Sequence, residues 1–270
     1  MSTILQEIVA WKKDEIRVAR EKRPLAELER VIADLPAPRG FAAGLASQAA
    51  SAPAVIAEIK RGSPSLGCIR PDLDAPQQAS WYEAGGAAAL SCLTDNHFFF
   101  ANPEDFDQIR QTVRLPMLRK DFMIDAYQIA ESRAMGADCI LLIMANLDDH
   151  LATELADVAH GYGLDVLCET HNAEEIHRAL DHVDFDLLGI NNRNLNTFET
   201  REETTLELAA LVPDRDKLVA ESGLHRPEAL GRCWRSGIKR FLIGEAFVRA
   251  TNPEETVRRF ISEATRSQPD

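Results

Sequence analysis

Apolar and polar positions alternate along Val55-Ile56-Ala57-Glu58-Ile59-Lys60, so an extended chain there puts Ile56, Glu58 and Lys60 on one face and Val55, Ala57 and Ile59 on the other. The run Ile140-Leu141-Leu142-Ile143-Met144 is apolar on both faces, as a parallel strand covered by helices must be. Candidate strands end near Lys60, Leu93, Lys120, Met144, Glu169, Asn191, Glu221 and Ile243, spaced by the length of a βα unit. Between them the 3.6-residue pattern predicts helices over 75–84, 125–135, 148–160, 174–180, 203–211 and 227–235, most of them starting at a capping residue or a proline. Ahead of the first strand, residues 1–20 read as an amphipathic helix, with Ser2 as its cap and Ile4, Ile8 and Trp11 at helical spacing for packing. A second helix is predicted near Leu25 to Leu35, before the break Pro36-Ala37-Pro38.

The predicted fold class is α/β: a (β/α)8 TIM barrel with an N-terminal helical extension, in which residues 1–270 form one barrel domain and residues 1–50 the extension lying on it. The rival is an open doubly wound sheet. It lacks support, because no glycine-rich dinucleotide loop follows the first strand and polar residues mark many strand ends rather than one switch point.

Composition bears on partners. With 45% hydrophobic and 27% charged residues the chain can bury a sizeable core. Its formal net charge of −13, without a compensating basic block, excludes nucleic acid and anionic membrane as natural partners. The amino terminus has neither a secretory apolar region nor a membrane span. Cys68, Cys92, Cys139, Cys168 and Cys233 are scattered, odd in number and without metal-ligand spacing, which points to a reducing, cytoplasmic location.

In a barrel the carboxyl ends of the strands carry the chemistry, and here those ends are polar in nearly every unit. Glu58 and Lys60 leave the first strand on one face, Lys120 shares the face of Leu118, and Glu169 stands above Leu167. Asn191 and Arg193 follow the sixth strand, Glu221 and Ser222 the seventh. A lone strand-end glutamate or lysine is ordinarily a cap or an ion-pair partner; five converging ionisable groups are hard to stabilise as structure alone. Packed together they are expected to shift one another, a lysine beside cations losing its proton more easily and a desolvated glutamate gaining one. Gly223 and Gly244, after the last two strands, allow backbone N–H groups to approach a phosphate where this fold usually binds it. Arg193 suits a carboxylate, and Phe98-Phe99-Phe100 either walls a ring pocket or covers the core. His97 and His171 read as loop residues, and no histidine has metal-site spacing.

The segments Ile56-Ala57-Glu58-Ile59-Lys60-Arg61-Gly62-Ser63-Pro64-Ser65, Leu90-Ser91-Cys92-Leu93-Thr94-Asp95, Leu118-Arg119-Lys120-Asp121-Phe122, Cys168-Glu169-Thr170-His171, Gly189-Ile190-Asn191-Asn192-Arg193-Asn194-Leu195, Ala220-Glu221-Ser222-Gly223 and Phe241-Leu242-Ile243-Gly244-Glu245-Ala246 together resemble the indole-3-glycerol phosphate synthase family. They keep the family's order, and the amino-terminal helices resemble its extension. The resemblance implies ring closure of 1-(2-carboxyphenylamino)-1-deoxyribulose 5-phosphate with loss of carbon dioxide and water, needing no cofactor and no metal. It implies Lys120 as the general acid on the ribulose carbonyl and Glu169 as the acid/base of dehydration. Lys60 would pair with phosphate and assist proton transfer, Glu58 and Asn191 would orient the lysines and the hydroxyl, and Glu221 and Ser222 would complete the site. The phosphate suits Gly223 and Gly244, the benzoate carboxylate suits Arg193 with Ser63, and the ring suits Phe122 and the loop phenylalanines. Glu245 stands where some relatives have serine and is expected to turn outward; Ala101-Asn102 replaces small residues common in the family. The chain ends after the eighth helix, so no fused isomerase or amidotransferase is expected.

Other chemistries use parts of this set. Glu169 and Glu221 could form a glycosidase pair, which two inward lysines and a phosphate site disfavour. Lys120 could be the nucleophile of a Schiff-base aldolase acting on a phosphorylated keto sugar. A non-catalytic phosphate-ligand binder would need only the glycine loops and leaves the acid/base set unexplained.

Overall fold

Eight short, almost wholly buried runs form the strands β1 (Ala54–Ile59), β2 (Ala89–Leu93), β3 (Met117–Lys120), β4 (Cys139–Ile143), β5 (Asp165–Thr170), β6 (Leu187–Asn191), β7 (Leu218–Glu221) and β8 (Arg240–Ile243). In the computed structural model, which describes residues 3–64, 66–195 and 197–266, each strand pairs in parallel with its sequence neighbours and β1 closes on β8. Register sets Ile143 beside Glu169 and Asn191 beside Glu221, so the polar strand ends reach one rim. Alternation then sorts two apolar layers. Ile56, Leu118, Leu141, Leu167, Val219 and Leu242 fill the barrel, while Val55, Ala57, Leu90, Ile140, Leu142 and Ile190 face the helices outside.

The helices are α1 (Ile4–Lys22), α2 (Leu25–Asp34), α3 (Phe41–Ala49), α4 (Ala75–Ala84), α5 (Asn96–Phe99), α6 (Asp105–Thr112), α7 (Ala126–Ala134), α8 (Asp149–Gly161), α9 (Ala173–His182), α10 (Glu203–Leu208), α11 (Pro227–Arg235), α12 (Glu245–Val248) and α13 (Pro253–Arg266). Asp74, Asp95, Asp125, Asp148 and Asn172 each accept a backbone N–H from the first turn, which is why the periodic stretches start where they do. The helix predicted over 203–211 is α-helical only to Leu208 and ends as a 3-10 turn, and the fourth strand stops one residue early because Met144–Asn146 is another such turn. No helix among the described residues is long and apolar enough to cross a membrane.

The extension spans both ends of the barrel. Helix α3, which the pattern did not reveal, brings Phe41, Leu45 and Ala49 onto Ala54, Ala89 and Cys139 and closes the end where strands begin. Helix α2 packs Leu28 with Ile16, Tyr127 and Ala130 beside α7. Helix α1 lies at the opposite end, where Ile4, Leu5 and Ile8 line the mouth. Its cap is Thr3, in a capping box with Gln6; Ser2, like Ser65 after β1, falls outside the described residues. Its inner stripe is also different from the expected one. Ile8, Lys12 and Ile16 are buried, whereas Trp11 is 46% exposed and stacks on His97 at 4.0 Å.

Candidate active site

The site is built from alternate strands, as successive side-chain layers of such a barrel are. From β3, Lys120 follows Leu118 onto the inner face, while Arg119 between them points outward to Thr94, Ser132 and Glu131. Lys120 Nζ lies 3.1 Å from Glu221 Oε2 of β7, 3.3 Å from Glu169 Oε2 of β5 and 4.0 Å from Glu58 Oε2 of β1. Lys60 turns back at the exit of β1 and pairs with Glu58 at 2.6 Å. Two glycines make the space. A Cβ on Gly189 of β6 would overlap Glu221 Oε1, and one on Gly244 would overlap Glu58 Oε1 and press on Lys60 Nζ.

The charges settle unequally. Burial lowers the pKa of Lys120, but Glu221, Glu169 and Glu58 outweigh it and push the ammonium well up. The expectation of an easily deprotonated lysine is therefore reversed for Lys120, because carboxylates surround it instead of cations. Burial raises Glu58 and Glu169, yet both end below the usual carboxylate range, Glu58 through Lys60 and Lys120 and Glu169 through Lys120 and His171. Glu221 goes the other way: burial, reinforced by Glu169, overcomes Lys120 and raises it. Its side chain is 1% exposed, and it touches Lys120 from behind without lining the open cavity.

That cavity, about 160 Å³, is lined by Glu58, Lys60, Ser63, Lys120, Phe122, Glu169, Asn191, Arg193, Ser222, Gly223, Gly244 and Glu245. Apolar walls come from Ile4, Leu5, Ile8, Phe99 and Phe122, the two phenylalanine rings 5.9 Å apart. Of the Phe98–Phe100 run, Phe99 reaches the cavity and Phe100 is 42% exposed. Asn191 Oδ1 accepts the backbone N–H of Arg193 at 3.0 Å, shaping the loop that carries the arginine. Ser222 and Gly223 have φ of 63° and 73°, a left-handed turn that bends the chain sharply after β7. Glu245 bonds Arg249 at 3.0 Å along α12.

Two functional positions escaped the sequence pattern. His171 lies in the loop after β5, as expected, but its Nε2 is 3.3 Å from Glu169 Oε1 and its Nδ1 2.9 Å from Glu175 Oε2. The i, i+4 spacing of His171 and Glu175 was the available signal. Lys12 is 2.8 Å from Asp121, 2.9 Å from Asp95 and 2.7 Å from Glu15, fastening α1 to the loops after β2 and β3. Its spacing from Ile8 and Ile16 marked it, but an internal lysine is rare enough to be passed over.

A closed barrel of eight parallel strands with ionisable side chains gathered at its carboxyl end belongs to the (β/α)8 class of enzymes. The crystal structure of tryptophan synthase subunit alpha from Legionella pneumophila strain Paris is similar in fold, with a TM-score of 0.57 over 84% of this chain and 97% of that chain at 16% identity. The sequence model of the indole-3-glycerol phosphate synthase family matches residues 5–260, and the chain belongs to that family. It is a carboxy-lyase of tryptophan biosynthesis acting on a phosphorylated small molecule, and its product is indole-3-glycerol phosphate.

Proposed function

We propose that ring closure, decarboxylation and dehydration of 1-(2-carboxyphenylamino)-1-deoxyribulose 5-phosphate take place in the cavity at the carboxyl end of the barrel, with Lys120 as the general acid. The observation that carries this is the ring of three carboxylates around one ammonium. It keeps Lys120 protonated, so the side chain donates to the ribulose carbonyl oxygen where negative charge develops. The same charge disfavours the Schiff-base reading, because a nucleophilic lysine must be a neutral amine.

Glu169, ionised and within 3.3 Å of Lys120, serves as the acid/base of dehydration and can return a proton to the lysine. Lys60, held by Glu58, meets the phosphate and assists the second proton transfer, while Glu221 and Asn191 hold the lysine and the hydroxyl. The phosphate lies against Ser222, Gly223 and Gly244, and the carboxylate of Glu245, which lines the same cavity, has its charge offset by Arg249 at 3.0 Å. Arg193 and Ser63 take the benzoate carboxylate, and the ring lies between Phe99 and Phe122. Five free cysteines support a cytoplasmic location, and the charge of −13 supports a small molecule over nucleic acid. No cofactor enters this scheme.

Replacing Lys120 by Ala is expected to lower turnover by about 10²- to 10⁴-fold, the range of a lost general acid, while a phosphate-bearing substrate analogue still binds. Indole fluorescence from the synthetic carboxyphenylamino substrate reads the rate. Near-normal turnover of K120A would remove the assigned role.

A further inference from the structure

The three carboxylates around Lys120 do not have the same company. Glu58 has Lys60 at 2.6 Å as well. Glu169 has a second cationic group on its far side, the ring of His171 at 3.3 Å. Among the described residues Lys120, at 3.1 Å, is the one cation paired with Glu221, whose Oε1 is buried without a hydrogen-bond partner. His171 is itself clamped. Its Nδ1 is 2.9 Å from Glu175 Oε2, the same oxygen accepts its backbone N–H at 2.8 Å, and Asn172 Nδ2 donates to Glu175 Oε1 at 2.7 Å. Both ring nitrogens therefore face carboxylates. An imidazolium, hydrogen-bonded to Glu175 through Nδ1 and ion-paired with Glu169 at 3.3 Å through an Nε2 that makes no hydrogen bond there, suits that arrangement; a neutral ring sets one nitrogen lone pair against a carboxylate.

Resting on the reading of Glu169 as the acid/base of dehydration, we propose that His171 is a positioning residue which, clamped by Glu175, keeps Glu169 ionised as the base and leaves the proton of the Glu169–Glu221 pair on Glu221. Two buried carboxyls beside one ammonium do not both ionise readily, and the one with the second cation retains the charge. The electrostatics agree. Burial works against a charged His171, yet its bonds to Glu169 and Glu175 push it up to about 10, while Glu169 is driven down and Glu221 up. The charged groups acting on Glu169 are Lys120 from β3, Glu221 from β7, Glu58 from β1 and His171; those acting on His171 are Glu169 and Glu175 of α9.

His171 and Glu175 also line a second cavity of about 710 Å³, separated from the mouth by Leu5, Asn191, Arg193 and Leu195, which line both. A small heteroaromatic molecule can reach the ring position from that side. This supplies the test. In His171→Asn the base loses its second cation, so the acid limb of the pH profile of kcat/KM should move up by about 1 unit or more, a roughly tenfold loss at acidic pH. In His171→Ala, imidazole added at a pH where it is cationic should restore turnover, and pyrazole, of the same size but neutral, should not. An acid limb in H171N at its original pH overturns the proposal, and so does equal restoration of H171A by pyrazole and imidazole. Glu169→Gln separates the two ideas. Near-normal turnover of E169Q removes the base itself, whereas an inactive E169Q with an unmoved H171N limb removes only the part given to His171.

Discussion

At the scale of single residues, the acid/base set was legible because strand alternation is a strict rule of two: once Ile56, Leu118 and Leu167 point inward, so do Glu58, Lys120 and Glu169. What alternation does not reveal is which neighbour leaves room. Gly189 belongs to an inward row and carries no side chain, yet the carboxylate of Glu221 occupies the volume where one would be. Gly189→Ala is expected to displace Glu221 from Lys120, lowering turnover at least about tenfold and destabilising the fold by about 1–3 kcal/mol, as overpacking a closed interior does. Urea denaturation and the indole assay check the two parts separately; full activity with Ala at 189 would show that Glu221 has another place to go. Gly244 carries a related lesson. It was read as room for a phosphate, and the volume at its Cα is also where Glu58 and Lys60 run.

At the scale of elements, helix starts followed their caps closely, and α3 and α5, which were missed, are short or carry weak patterns. For α1 the period was right and Ile8 is buried as expected, but Trp11 is not. The helix carries Trp11, which hydrophobicity alone would bury, but Lys12 makes three ion pairs that the exposed tryptophan leaves space for. Asp121 accepts from Thr94 as well and lies next to Lys120 in the chain, so α1 braces the loop that begins at the proposed general acid. Burial alone would discharge Lys12, but Asp121, Asp95 and Glu15 hold its pKa above the ordinary lysine value. Lys12→Ala removes the cation from buried Asp95 and leaves Asp121 with Arg119 at 3.4 Å, and is expected to cost about 3–5 kcal/mol. A urea midpoint equal to that of the unaltered protein would show that α1 is held by Ile8 and Ile16 without the ion pairs.

For the whole molecule, the shifted groups predict how stability follows pH. Glu58, Glu169 and Asp121 are lowered on folding, so their contribution is present above about pH 4 and is lost as pH falls through their folded values. His171 is raised, so its contribution is complete below its unfolded value near about 6.5 and is lost as pH rises through about 10. Glu221, also raised, weakens the fold in the same direction as it ionises. Unfolding free energy from urea curves at stepped pH should therefore fall in acid and decline again from neutrality toward pH 10. In H171N the alkaline decline should be shallower; an unchanged slope would show that the ring is not the group titrating there.

Periodicity and strand-end chemistry by themselves determined the eight strands, their inward faces and the acids and bases at the rim, because side-chain direction along a strand is a local property of the backbone. Closure of the barrel decided the rest. Which carboxylate meets Lys120, that Lys120 gains charge stabilisation instead of losing its proton, and that Lys12 braces the site from α1 all depend on distances between residues far apart in the chain. Charge–charge energies vary steeply with separation and burial, and neither quantity exists until the strands are paired.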